Sequence, residues 1–187
     1  MKGIKKLVGA YVALVATAAL AVTAFAADYA VVPVFSQDTS TPVSVTTEAV
    51  TEAISGSGAA AVEVKSVAQL TLNPAVLKKL DKTSGAVLQV VSPKATISID
   101  SAKITKARKV DLSMKLSNSS TKTTIKMRSK KDFGCEVKIT VTSCKLSAEK
   151  LKTAHVYCDG EDLGAVELDE NGLPVITVTK GGTYEIK

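Results

Sequence analysis

Across residues 134–187 the chain alternates apolar and polar residues in short runs. The runs stop at Asp159-Gly160, Asn171-Gly172 and Lys180-Gly181-Gly182. A period of two belongs to half-buried strands, and the breaks are residues that tolerate turn backbone. Cys135, Val137, Ile139 and Val141 share one face, opposite Glu136, Lys138, Thr140 and Thr142. Asn-Gly between alternating runs is a strong short-range hairpin signal. The stretch predicts an antiparallel β-meander, and the rest of the chain must supply what packs against it.

Upstream, Val110, Leu112, Met114 and Leu116 are expected to face inward, with Asp111, Ser113 and Lys115 outward. Further strands are expected at 62–67, 86–91, 95–100 and 123–127, with Ser92-Pro93-Lys94 as a turn. Asn73-Pro74 opens a helix, since Asn caps free N–H groups and Pro suits the first helical position. Val76, Leu77 and Leu80 fall on one face of it, and Gly85 stands where a terminator belongs. Eight or nine short strands and a helix at about 73–82 predict a mostly β domain over 62–187. The expected architecture is an antiparallel β-sandwich, immunoglobulin-like or similar.

The N-terminus has a different character. Lys2, Lys5 and Lys6 precede an apolar run over 7–22, and Ala24-Phe25-Ala26 follows as an A-x-A site. This predicts a helical secretory signal peptide over 1–26, cleaved after Ala26. The apolar run is short for a membrane span. Loss of 1–26 removes three lysines and no acid, lowering the net charge from +6 to +3. Residues 27–61 are rich in Ser, Thr and Ala and are expected to form a flexible linker, with 27–34 as a short extended arm. Export places the protein outside the cell or on its surface, so nucleic acid is not an expected partner. The membrane enters only through the signal peptide during export.

Charge is unevenly distributed. Residues 103–131 hold ten Lys or Arg against one acid, Asp111, while 132–187 hold ten acids against six Lys. Lys106, Arg108, Lys109, Lys126, Arg128, Lys130 and Lys131 form a candidate basic patch for an anionic surface such as teichoic acid or mucin. Solvated strand faces would look the same in sequence.

An exported chain permits disulfides, and three Cys leave one over. Cys135 and Cys144 are nine residues apart on one expected strand, too far to bridge. Cys144–Cys158 is the candidate disulfide, with Cys135 a small core residue. No spacing resembles a zinc site.

Catalytic signals are lacking. No G-x-S-x-G, H-E-x-x-H or P-loop pattern occurs, so no catalytic residue, cofactor or metal ligand is assigned. The lone His155 reads as a surface or hydrogen-bonded residue. Asp159, Glu161, Asp162, Glu167, Asp169 and Glu170 are the raw material of a Ca²⁺ site or a glycosidase pair, yet they fall in expected turns. Phe133, Tyr157 and Tyr184 are too few for an aromatic sugar platform. Asn118-Ser119-Ser120 matches a glycosylation sequon and points to an exposed loop.

Residues 71–187 resemble the β-rich C-terminal accessory module of secreted multidomain proteins from Gram-positive (Firmicutes) gut and rumen bacteria. The matching pieces are Val76-Leu77-Lys78-Lys79-Leu80, Ile97-Ser98-Ile99-Asp100, Ile104-Thr105 and Val110-Asp111-Leu112-Ser113. Ala154-His155-Val156-Tyr157 and the closing Asn171-Gly172 with Gly182-Thr183-Tyr184-Glu185-Ile186 complete them. The resemblance implies a non-catalytic accessory domain at the cell surface and supplies no site residues. The expected function is binding or adhesion to an extracellular protein or glycan. The alternatives are a small secreted hydrolase or inhibitor with an acidic site, or a structural spacer. Convergence of Asp159, Glu161, Glu167 and Asp169 in one concave site would favour the hydrolase or inhibitor.

Overall fold

The computed structural model describes residues 30–33, 43–45, 50–51, 54 and 59–187. The expected signal peptide lies outside the described residues. The elements run β1 (Ala30–Pro33), β2 (Val43–Val45), β3 (Ala59–Glu63), β4 (Leu70–Leu72), α1 (Pro74–Asp81), β5 (Val87–Val91) and β6 (Thr96–Asp100). A 3-10 turn (Ser101–Lys103) leads to β7 (Val110–Asp111), β8 (Met114–Asn118), β9 (Thr123–Met127) and β10 (Asp132–Thr140). The chain closes with α2 (Ala148–Thr153), β11 (His155–Cys158), β12 (Glu161–Ala165), β13 (Glu167–Leu168), β14 (Pro174–Lys180) and β15 (Thr183–Ile186).

The fold is mostly β and sandwich-like. A seven-stranded sheet has the order β1-β3-β5-β6-β10-β14-β13, and a five-stranded sheet the order β12-β11-β15-β9-β8. A small third sheet is ordered β2-β4-β7. One hydrophobic cluster draws on all three: Leu70 and Val110 from the third, Ile97 and Ile139 from the first, Ile125 and Ile186 from the second. Burial alternates where the sequence alternates: in β9, Thr123, Ile125 and Met127 are buried and Lys126 is exposed. Removing each such apolar side chain from water contributes about 1.5–3 kcal/mol, which holds the layers together.

Helix α1 forms as its sequence predicts. Asn73 Oδ1 accepts from the Ala75 N–H at 3.0 Å, Pro74 opens the helix, and Val76, Leu77 and Leu80 are buried. Helix α2 was not anticipated, although Ser147 caps it with Glu149 in its first turn.

Three further expectations need correction. The described residues within the stretch assigned to a linker, 30–33, 43–45, 50–51, 54 and 59–61, contribute to the domain. β1 pairs in parallel with β3, β2 pairs in parallel with β4, and Val45, Val50 and Ile54 are buried. The Ser/Thr-rich composition masked widely spaced apolar anchors. The seven- and three-stranded sheets are therefore mixed, because β3 and β5 also run parallel, while the five-stranded sheet is antiparallel throughout. Finally, the C-terminal meander does not stay in one sheet. β11, β12 and β15 belong to the five-stranded sheet and β13 and β14 to the seven-stranded one. The Lys180-Gly181-Gly182 break is a corner between sheets, and both glycines are buried there.

Candidate functional site

A groove of about 740 Å³ lies beside β8. One wall is the β8–β9 pair, represented by Met114, Lys115, Leu116, Lys126, Met127 and Arg128. The other is the 65–68 loop after β3 together with the Ser92-Pro93-Lys94 turn between β5 and β6. Its size is in the range typical of ligand sites.

Local hydrogen bonding fixes both walls. The Val64 N–H donates to the Val91 carbonyl and the Met114 N–H donates to the Val67 carbonyl, each at 2.8 Å. The 65–68 loop is thus tied to both sheets. Ser92 closes the opposite turn: its Oγ accepts from the Ala95 N–H at 3.1 Å and donates to the Ala95 carbonyl at 2.7 Å. The Lys94 carbonyl accepts from Ser143 Oγ at 3.1 Å, anchoring the backbone while its side chain stays exposed.

Charge sets this groove apart. Lys65, Lys94, Lys115, Lys126 and Arg128 line it, all five are exposed, and no carboxylate shares the lining. Ion pairs occur elsewhere, as in Lys103–Glu136, Arg108–Asp132, Lys122–Glu185, His155–Asp162 and Lys187–Glu185. Among the described residues none of the five groove cations takes part in one. Like charges gathered in a cleft raise a positive potential that concentrates anions. Beneath them Val67, Met114, Leu116 and Met127 are almost fully buried and form an apolar floor.

Only part of the expected basic patch belongs here. Lys126 and Arg128 line the groove. Arg108 instead reaches Asp132 at 3.4 Å, and the Lys106 N–H donates to the Gly134 carbonyl on β10. Lys109, Lys130 and Lys131 are exposed but do not line the groove. Lys115, from the same basic stretch, and Lys65 and Lys94, from segments far from it that no local pattern marks, complete the site. Ser113, expected to face outward, is buried. It lies between β7 and β8, where the chain crosses from one sheet to another and the alternation is interrupted.

The acids do not converge. Asp159 and Glu161 border a smaller pocket of about 310 Å³ next to Cys158 and Tyr184. Glu167 lies on β13, and Asp169 Oδ1 accepts from the Asn171 and Leu173 N–H groups at 2.9 and 2.8 Å, closing the turn before β14. Asp159 Oδ1 likewise accepts from the Thr183 N–H at 3.1 Å. Among the described residues no three or more His, Cys, Asp or Glu side chains are grouped to hold a metal ion. His155 Nδ1 is 2.9 Å from Asp162 Oδ2. The Gly164 N–H, and then His155, hold the Asp162 carboxyl below its ordinary range.

All three cysteines are free thiols. Cys144 Sγ is 3.4 Å from Thr123 Oγ1 on β9, whereas Cys158 lies on β11 opposite Tyr184. β15 separates those two strands, so Cys144 and Cys158 do not form the expected disulfide. Asn118 of the sequon is half-buried, and its Nδ2 donates to Ser143 Oγ at 2.9 Å.

Fold and site together define a β-rich, sandwich-like domain with an open cationic groove at the edge of one sheet. Comparison with family models, curated proteins and solved structures found no match for the chain.

Proposed function

We propose that the chain is an exported, non-catalytic binding module that works at the cell surface and takes an anionic extracellular partner in this groove. The observation that carries the proposal is five exposed cations around one concavity that has no carboxylate in its lining. A spacer has no need of such a cluster, because uncompensated like charges repel one another and oppose folding. The leader-like N-terminus and the resemblance to surface accessory modules support the extracellular setting.

The test is a binding assay of the chain against extracellular polyanions and acidic surface proteins, with and without Lys126→Glu/Arg128→Glu. Reversing two exposed groove charges is expected to weaken binding by about tenfold or more, a change of about 1.4 kcal/mol. Added salt is expected to weaken it further, since the Debye length falls to about 3 Å at 1 M ionic strength. Binding that ignores both the substitutions and the salt counts against the proposal.

A further inference from the structure

We propose that the partner supplies an extended acidic peptide segment, which adds to the free edge of β8 inside the groove. The inference rests on the groove being the binding surface and names what enters it.

β8 is an edge strand of the five-stranded sheet. In an antiparallel strand the N–H and C=O of one residue point the same way, and successive residues alternate. The Arg128 N–H donates to the Ser113 carbonyl at 2.8 Å, so residues 113, 115 and 117 direct their backbone groups toward β9. The Met114 N–H points the other way, to the Val67 carbonyl. Leu116, two residues on, shares that outward direction, and among the described residues its N–H and C=O have no backbone partner. Met114 is tethered on one side and the Asn118 side chain on the other, by Ser143 Oγ. Between them Leu116, in the groove lining, has one unpartnered pair of backbone groups, flanked by cations and an apolar floor.

An open edge is a template for another strand, and lysines at an edge discourage unwanted pairing. Here they discourage a second copy of this chain, whose β8 carries the same charges. They attract a strand rich in Glu or Asp. Such a strand exchanges two hydrogen bonds with Leu116: the Leu116 N–H donates to a peptide carbonyl, and a peptide N–H donates to the Leu116 carbonyl. Its alternate side chains divide between the cations and the floor formed by Met114 and Leu116. A polyanionic glycan would answer the charges and leave the backbone pair and the floor unmatched.

The experiment uses the full chain with four probes. They are a short peptide alternating Glu with Val, two versions N-methylated on one or the other alternate set of amides, and polygalacturonate. The parent peptide is expected to bind. Methylation of one set weakens it about three- to tenfold, the worth of one hydrogen bond, and methylation of the other set changes little. Equal binding by both methylated peptides overturns strand addition and leaves the groove reading intact. So does binding of polygalacturonate without binding of any peptide. If neither peptide nor polygalacturonate responds to Lys126→Glu/Arg128→Glu, both the inference and the groove reading fail.

Discussion

Two glycines separate conformational cost from steric cost. Gly172 has φ +73° in the turn before β14, and a Cβ there would meet nothing within 4 Å. Gly134 has φ +68°, and its Cβ would fall on the Lys106 carbonyl oxygen. Gly172→Ala therefore costs only the left-handed backbone penalty, about 1–2 kcal/mol. Gly134→Ala adds displacement of the 104–106 segment and should exceed it by about 1–3 kcal/mol. Urea unfolding of the two variants checks the order, and equal costs would mean that the Lys106 backbone yields freely. Buried acids set the alkaline limit. Burial, reinforced by the negative Asp132, pushes the Cys135 thiol from its ordinary 9.0 to about 11. Burial beside Cys158 also pushes the Tyr184 phenol up. Both groups have raised values in the folded state, so the unfolded chain gives up these protons first. The Cys135 contribution is complete below about pH 9 and is lost as pH rises toward 11, and that of Tyr184 is lost at higher pH. Cys135→Ala should flatten the stability profile between those pH values, and an unchanged slope would assign the loss to other groups.

At the level of elements, one hydroxyl joins two sheets. Ser113 Oγ accepts from the Leu70 N–H at 3.0 Å and donates to the Leu70 carbonyl at 3.3 Å, tying β4 to the start of β8. Ser113→Ala leaves the buried Leu70 N–H without that partner, while the Leu70 carbonyl keeps the Leu112 N–H at 2.9 Å, and should cost about 1–3 kcal/mol. Amide exchange at Leu70 should quicken with it. A loss below that range, with Leu70 exchange unchanged, would show that the three-stranded sheet holds its place without this bond. The same residue shows what sequence could and could not convey. Strict alternation made Met114, Leu116, Ile125 and Met127 legible as core, because one face of a continuous strand keeps one environment. It placed Ser113 on the wrong side, because alternation is interrupted where the chain changes sheets. Asn73-Pro74 announced α1 through capping chemistry confined to adjacent residues. Pairings of β1 with β3 and of β2 with β4 depend on partners far along the chain, and composition alone suggested a linker there. One of the three turn signals near the C-terminus was right in position and wrong in role: Gly181 and Gly182 turn the chain between sheets. A Cβ on Gly181 would strike the Ser129 carbonyl, so the corner admits no side chain.

The whole molecule assembles a site that no segment contains. Lys65 follows β3, Lys94 belongs to the turn before β6, and Lys115, Lys126 and Arg128 come from the β8–β9 pair. Sequence located a basic stretch over 103–131, but folding sends Arg108 to Asp132 and brings in Lys65 and Lys94 from outside it. The five cations surround an open strand edge, and in the strand-addition proposal charge draws an acidic segment in and the Leu116 backbone fixes its register. The sharpest measurement is amide hydrogen exchange at Leu116 in the full chain, with and without the alternating Glu-Val peptide. Strand addition predicts that the Leu116 amide becomes protected when the peptide binds and stays unprotected with the peptide methylated on its groove-facing amides. A bound peptide that leaves Leu116 exchange unchanged would contradict it.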